Sequence, residues 1–315
     1  MMTYSLFFDE WRDGRDYVIC LTSGSTGAPK QIKLPKELMR DSALRTIEYF
    51  NLNSRSHLHS CISPDFIGGK MMAVRSEILG SGFSYETPSN TPLISYDGPD
   101  IDLLAVVPSQ MVYILDNLSS LPKVKNYLIG GSPIPDSIRM KIVGQGLNAF
   151  ESYGMTETAS HIALRKVSDP SLPFRPLPGI EVSLDGNHRL MIHNKMFGEN
   201  NFLLTNDIAE IDDDGQFFII GRYDNVIISG GKKIHPEVLE STLESVLGIP
   251  VLFYAEKDEK WGEKLILCIN KSPEELSDER LKGICRLNLP DYCVPKKIIR
   301  KEIPVTANGK KRRKP

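Results

Sequence analysis

Two textures alternate along the first part of the chain: short continuous apolar runs and stripes at helical spacing. Residues 17–21 form a strand-like run that breaks into Thr22-Ser23-Gly24-Ser25-Thr26-Gly27-Ala28-Pro29-Lys30. After Pro35, apolar residues at Met39, Ala43, Ile47 and Phe50 recur at spacings of four, four and three, which is one face of a helix. The opening therefore reads as strand, loop, helix. Further on, apolar runs at 103–107 and 127–129 end at Pro108 and at Gly130-Gly131, with helical stretches between them. This is the pattern of a layered α/β sheet, whose strand ends line a crevice.

From about residue 180 to 221 the pattern changes to short alternating strands, punctuated by Asp185-Gly186 and Asp213-Asp214-Gly215, both hairpin-turn sequences. Pro236 then opens a helix with Val238, Leu239, Leu243, Val246 and Leu247 on one side and Gly248 at its close. Strands at 251–254 and 265–269, an amphipathic stretch at 274–287 and a polar, basic tail complete the chain. The predicted fold class is α/β: a large layered α/β domain with a β-rich module over residues 1–222, followed by a small α+β domain over 223–315.

Composition narrows the function classes. The chain has 315 residues, 41% hydrophobic and 25% charged, ordinary values for a globular protein of two domains. A net charge of -2 gives no global basic field for nucleic acid, although Lys310-Lys311-Arg312-Arg313-Lys314 is locally basic. The five cysteines show no Cys-x-x-Cys pair and no histidine at zinc-ligand spacing, which predicts reduced thiols with neither disulfides nor a structural metal. The short apolar run at the N-terminus meets acidic residues at once, and no stretch is long enough to span a membrane, so the expected location is cytoplasmic with no membrane insertion.

The loop at 22–30 packs two glycines, four hydroxyl side chains, a proline and a lysine into nine positions, a composition suited to surrounding an anion with N–H groups, hydroxyls and one cation. It lacks the Gly-x-x-x-x-Gly-Lys-Ser/Thr spacing of a Walker loop, which disfavours a GTPase or kinase type of nucleotide fold.

Leu21-Thr22-Ser23-Gly24-Ser25-Thr26-Gly27-Ala28-Pro29-Lys30 resembles the signature loop of the adenylate-forming superfamily of acyl-CoA synthetases, luciferases and peptide-synthetase adenylation domains. Further segments resembling that superfamily come in its order: Gly130-Gly131-Ser132-Pro133, Ser152-Tyr153-Gly154-Met155-Thr156-Glu157-Thr158, Thr205-Asn206-Asp207, Gly221-Arg222-Tyr223-Asp224 and Ile303-Pro304-Val305-Thr306-Ala307-Asn308-Gly309-Lys310. The resemblance implies ATP, Mg2+ and coenzyme A as cosubstrates, with a small carboxylic acid as the group activated. By this likeness Thr22, Ser23, Gly24, Ser25, Thr26, Gly27 and Lys30 hold phosphate, while Gly130, Gly131, Ser132, Ser152, Tyr153 and Gly154 surround the adenine. Asp207 accepts from the ribose hydroxyls, and Arg222 holds sugar and phosphate. Thr156 and Glu157 are the implied catalytic pair, with Glu157 the Mg2+ ligand. Lys310 is the implied catalytic lysine that neutralises charge in the transition state. Asp224 falls at the family's hinge, and Gly230 and Gly231 in the loop that shapes the pantetheine tunnel.

Val107-Pro108-Ser109-Gln110, Gly130 to Pro135, Glu157-Thr158-Ala159-Ser160 and the segment 66–75 resemble most closely the o-succinylbenzoate-CoA ligases of menaquinone biosynthesis. A dicarboxylate acid needs a cation for its unreactive carboxylate, and Lys70 or Arg75 is the implied donor. Phe66 stands where the family commonly has a histidine, and only about twenty residues precede the signature loop. The resemblance therefore covers the later part of the family, with the N-terminal subdomain missing or reduced, and a reduced pocket suits a small aromatic acid. Two alternatives remain open at this point: an adenylation domain that loads a carrier protein, and a nucleotide-binding pseudoenzyme.

Overall fold

The computed structural model describes residues 2–22, 30–169, 171–197, 200–270, 276–305 and 311–313. In chain order the elements are α1 (Tyr4–Arg12), β1 (Tyr17–Thr22), β2 (Lys30–Pro35), α2 (Lys36–Tyr49), β3 (His57–Ser60), α3 (Ile67–Leu79), β4 (Gly82–Tyr85), β5 (Leu103–Val106), α4 (Pro108–Asn117), β6 (Tyr127–Ile129), α5 (Asp136–Gly144), β7 (Ala149–Met155), β8 (Ser160–Lys166) and β9 (Arg175–Pro176). After these come β10 (Glu181–Leu184), β11 (Arg189–His193), β12 (Phe202–Ile211), β13 (Phe217–Arg222), β14 (Ile227–Ser229), β15 (Lys232–Ile234), α6 (Pro236–Leu247), β16 (Val251–Asp258), β17 (Gly262–Ile269), α7 (Asp278–Asn288) and β18 (Lys297–Arg300).

The chain divides into two compact units, residues 1–181 with 193–201, and residues 182–192 with 202–315. The boundary anticipated between 222 and 223 lies inside the second unit, because most of the sheet β10-β11-β12-β13 groups with the C-terminal elements β14 to β18.

The first unit is built on a seven-stranded sheet, order β4-β3-β5-β6-β7-β8-β9. Strands β4, β3, β5, β6 and β7 run parallel, β8 pairs antiparallel with β7, and β9 pairs antiparallel with β8. Both faces are covered, so β5 reads as an unbroken apolar run. Leu103 and Ala105 pack with Leu58, Met72, Leu128 and Leu164, while Leu104 and Val106 pack with Met111, Ile114, Ile129 and Ile142. The stripe read from the sequence of α2 is inward, with Met39 and Ala43 fully buried.

Two features differ from the expected opening. Between the signature loop and α2 stands β2, which pairs antiparallel with β1 from Tyr17↔Pro35 to Thr22↔Lys30. The N-terminal run is the amphipathic helix α1, capped by the Thr3 hydroxyl accepting from Leu6 N, with Tyr4, Phe7 and Trp11 buried.

In the second unit β14, β15, β16, β17 and β18 form one sheet, and α6 and α7 bury Leu239, Leu243, Leu281 and Cys285 against Val251, Phe253, Leu265 and Leu267. Pro236 and Gly248 bound α6 as its sequence indicates, with Gly248 left-handed at φ 66°. Val238 and Val246, expected on the apolar side, are exposed, because the buried stripe narrows to Leu239 and Leu243. The five cysteines are free thiols and buried. Among the described residues no helix is long and apolar enough to cross a membrane.

Candidate active site

In the first unit the expected adenine-side residues gather at the carboxyl end of the parallel sheet. Strand β6 stops at Ile129, and Gly130 N still donates to Val106 O at 3.1 Å before Gly131 turns the chain with φ 91°. Strand β7 is longer and carries Ser152, Tyr153 and Gly154 past the end of β6. The Ser152 hydroxyl donates to Ile129 O at 3.1 Å, tying the two strand ends together. The Tyr153 ring, half-buried, lies 5.7 Å from that of Phe174. A Cβ on Gly154 would stand 2.1 Å from Ser160 O, so only glycine allows the close approach of β8 at the register shift there.

The turn at Thr156–Thr158 is fixed from three sides. Met155 N donates to Thr158 Oγ1 at 3.0 Å, Thr158 Oγ1 donates to Ser160 O at 2.6 Å, and Ser42 Oγ donates to Ala159 O at 2.7 Å. Glu157 stands on this turn beside Thr156; its side chain is exposed, and that of Thr156 is half-buried. A solvent-accessible carboxylate with a neighbouring hydroxyl on a rigid turn fits an oxygen-ligated Mg2+ held against phosphate.

Sequence reasoning did not single out the side chains that hold this edge. Glu151 is buried in β7, accepts from Ile134 N at 3.2 Å and from Arg165 Nε at 2.8 Å, and has Arg139 Nη2 at 3.7 Å. It thus anchors the far end of the Gly130–Gly131–Ser132 turn. A carboxylate inside an apolar strand is a visible signal, but its partners lie on α5 and β8, and only the fold shows them.

Of the signature loop, Ser23, Gly24, Ser25, Thr26 and Gly27 lie outside the described residues. The backbone of Thr22 and of Lys30 closes that segment as opposed positions of the β1–β2 hairpin, and Lys30 is exposed.

Lys70 and Arg75 both project from α3 and are nearly fully buried, at 2% and 1% exposure. Five positions at 100° each place them about 140° apart around the helix, so they do not form one grip. Lys70 Nζ sits 4.8 Å above the Phe7 ring. Arg75 Nη1 has the Met72 sulfur at 3.6 Å, and its Nε and Nη2 are buried without a hydrogen-bond partner among the described residues. His161 is fully buried and hydrogen-bonded to Thr46 Oγ1 at 3.0 Å. Burial first, then the charges of Arg75 and Arg45, holds its pKa well below the ordinary histidine value. Phe66 precedes α3 and is exposed.

In the second unit Asp207 on β12 and Arg222 on β13 are directly opposed in the antiparallel ladder. Arg222 Nη1 is 3.4 Å from Asp207 Oδ1, and its Nε and Nη2 reach the two Asp224 oxygens at 3.1 and 3.2 Å. Burial opposes the charge on Arg222, but Asp224 and Asp207 outweigh it and raise its pKa. Gly230 and Gly231 form the two-residue turn between β14 and β15, both with positive φ, 56° and 76°. Gly230 N donates to Trp261 O at 2.9 Å.

Lys310 lies outside the described residues, but the chain on both sides of it is tied down. Val305 pairs with Lys311, and Arg312 N donates to Pro304 O at 2.8 Å. The tail is not uniformly solvated as its charge run suggests. Lys311 Nζ reaches Glu244 Oε1 at 2.5 Å, Val251 O at 2.7 Å and Glu240 Oε2 at 3.3 Å, and Arg313 pairs with Glu240 and Glu237 and donates to Phe253 O at 2.9 Å.

Two clefts in the first unit, about 450 and 270 Å³, are lined by groups such as Trp11, Arg15 and Arg40 in one and Asp102, Lys123 and Lys125 in the other. Neither contains a residue of the expected nucleotide set, and neither is assigned to it.

Comparison with known proteins bears on the family and the fold. The AMP-binding enzyme family matches residues 9–199. The 2-succinylbenzoate–CoA ligase of Listeria monocytogenes is 28% identical over 96% of this chain and 70% of its own length, and that of Lactococcus lactis is 30% identical over 68% and 51%. Among solved structures, an acyl-CoA synthetase (AMP-forming)/AMP-acid ligase II-like protein of Dyadobacter fermentans is 32% identical, covering 97% of this chain and 90% of that one with a TM-score of 0.64. The o-succinylbenzoate coenzyme A synthetase of Bacillus subtilis, solved with ATP and magnesium ion, shares the fold at a TM-score of 0.83 and 23% identity over 94% of this chain and 68% of that one. With the strand-end glycines, the Tyr153 edge and the Asp207–Arg222 pair laid out as above, this chain belongs to the AMP-binding enzyme family.

Proposed function

We propose that this chain is an ATP-dependent acid–CoA ligase whose acid is 2-succinylbenzoate. It joins the acid to AMP with loss of pyrophosphate, then passes the acyl group to the thiol of coenzyme A with loss of AMP. The observation that carries the reading is the match to the family across residues 9–199, together with relatives named for that acid along nearly the whole chain. An aromatic dicarboxylic acid also accounts for an otherwise costly feature, the buried Arg75 with Nε and Nη2 unpartnered among the described residues. In this reading Arg75 takes the carboxylate that does not react, while Lys70 is a packing residue over Phe7.

The roles follow from the chemistry of each group. Tyr153 offers a flat face to adenine, and Ser152 with Gly130, Gly131, Ser132 and Gly154 sets the edge it stacks on. Asp207 accepts from the ribose hydroxyls, and Arg222, braced by Asp224, holds sugar and phosphate. Glu157 and Thr156 would hold Mg2+, which supplies charge neutralisation at the phosphates. Thr22 to Gly27 with Lys30 surround the leaving pyrophosphate, and Lys310 stabilises the charge that gathers at the α-phosphorus during attack. Asp224 serves as the hinge about which residues 223–315 swing once the adenylate has formed, and the Gly230–Gly231 turn then lines the path of the pantetheine arm.

The test is acid-dependent ATP–pyrophosphate exchange with 2-succinylbenzoate, followed by detection of its thioester from free coenzyme A. Exchange that falls by about three orders of magnitude in Lys310→Ala is the expected result. Exchange without thioester would redirect the acceptor to a carrier protein, and no exchange with any acid would overturn the enzymatic reading.

A further inference from the structure

Strand β3 and its continuation carry His57, His59 and Cys61 at every second position, so all three face the same side of the sheet. Strand β4 runs parallel beside it with His59 opposite Ser84, and the ladder continues beyond both strands: Cys61 N donates to Ala105 O at 3.1 Å and Glu86 N to Ser60 O at 3.2 Å. This register brings His59, Cys61 and Glu86 together at the carboxyl edge, with one ligand atom from each lying within 4.8 Å of the others. His59 and Cys61 are each 1% exposed, and the Glu86 side chain is 23% exposed.

The surrounding hydrogen bonds leave one buried atom unused. His59 Nδ1 is 2.7 Å from Ser84 Oγ, which also lies 2.7 Å from His57 Nε2. Both Glu86 oxygens accept from Leu93 N, at 3.2 and 3.0 Å. His59 Nε2 is buried without a hydrogen-bond partner among the described residues and lies 3.8 Å from Glu86 Oε2. A buried ring nitrogen without a hydrogen bond is costly, and here it lies close to a carboxylate and a thiol.

We propose that His59 Nε2, Cys61 Sγ and a Glu86 oxygen form a binding site for a divalent transition-metal ion of the zinc class, with water as the fourth ligand. The donor set of one thiolate, one imidazole and one carboxylate suits such an ion and not Mg2+ or Ca2+, which take oxygen. Tetrahedral bonds of about 2.0 to 2.3 Å place neighbouring ligand atoms about 3.5 Å apart, so the 3.8 Å between His59 Nε2 and Glu86 Oε2 needs only a small contraction. The outer contacts are those a metal ligand uses: with Nε2 on the ion, Nδ1 would carry the proton and donate to Ser84 Oγ, 2.7 Å away, and Leu93 N–H holds the carboxylate. Burial pushes the Cys61 thiol up, so the free chain keeps it protonated. Binding replaces that proton with the ion, and the proton leaves to solvent. The ion ties edge strand β4 to β3. This site departs from the expectation of no structural metal, which rests on spacing along the chain, whereas these ligands come from adjacent parallel strands.

The test uses the full chain without a histidine tag, stripped of metal and free of ATP and Mg2+. Titration with Co2+ is expected to saturate at one equivalent with a thiolate-to-cobalt charge-transfer band, and Zn2+ to displace it and raise the melting temperature. Cys61→Ser removes the band, His59→Gln and Glu86→Gln each weaken binding more than about tenfold, and Ser84→Ala weakens it about tenfold while leaving all three ligands in place. Should Cys61→Ser fail to fold, X-ray absorption of the zinc-loaded native chain decides, with one sulfur in the shell expected. Absence of one-equivalent binding, a shell without sulfur, or a band that survives both Cys61→Ser and His59→Gln overturns the site.

Discussion

Arg222 and Asp207 face each other across the β12–β13 ladder, with Nη1 3.4 Å from Oδ1, while the same guanidinium is held on its other side by Asp224. The arginine is thereby aimed before any nucleotide arrives. Replacing Arg222 by Met is expected to weaken AMP binding about 10- to 100-fold, the worth of a charge-assisted contact, and Asp207→Asn to weaken it comparably. Calorimetric titration with AMP measures both, and unchanged affinity in either variant removes that residue from the nucleotide set.

Arg313 pairs with Glu240, which is only 4% exposed on α6. Arg313→Met leaves that carboxylate with Lys311 as its remaining cation and should cost about 2 kcal/mol, somewhat less than removing a sole buried partner. Adding Glu240→Leu should recover most of the loss. Urea midpoints for the single and double variants check this, and a further loss in the double variant would contradict it.

His161 has a folded-state pKa well below its ordinary value. Its neutral form is favoured in the native chain, so below about pH 6.5 the unfolded chain binds a proton that the folded chain does not. Its contribution to stability is therefore present above that pH and is lost as pH falls toward the folded pKa, with a slope of at most about 1.4 kcal/mol per pH unit. His161→Gln should flatten the acid side of the profile of unfolding free energy between about pH 6.5 and 5. An unchanged slope would assign the acid sensitivity to other groups.

Gly154 admits no Cβ, since one would meet the backbone of Ser160 and His161, whereas Gly186 has open space around it. Gly154→Ala is expected to destabilise the chain by about 1 to 3 kcal/mol through overpacking, and Gly186→Ala to change stability by less than about 0.5 kcal/mol. Thermal melts of the pair compare them directly.

Arg75→Met removes a buried charge that has no carboxylate partner among the described residues, so it should leave the melting temperature unchanged or higher. If Arg75 takes the second carboxylate of the acid, the same variant raises KM for 2-succinylbenzoate by more than about tenfold and leaves KM for ATP unaltered. A lower melting temperature with an unaltered KM for the acid would make Arg75 structural.

Local chemistry in the chain determined much of this protein. The apolar runs at β5 and β6, the α2 stripe, the turn glycines and the Pro236–Gly248 limits of α6 are set by periodicity and backbone preference, which act over a few residues. The order of the adenylation segments was equally legible, because each is a contiguous stretch. Only the tertiary structure decided which distant groups meet. Glu151 finds Arg139 and Arg165, Lys311 and Arg313 fold onto α6, Lys70 and Arg75 turn to different sides of α3, and His59, Cys61 and Glu86 converge from two strands. Side-chain alternation within a strand is written in the sequence, but the register between strands comes from the packing of the whole sheet, and that register places the charges and donors.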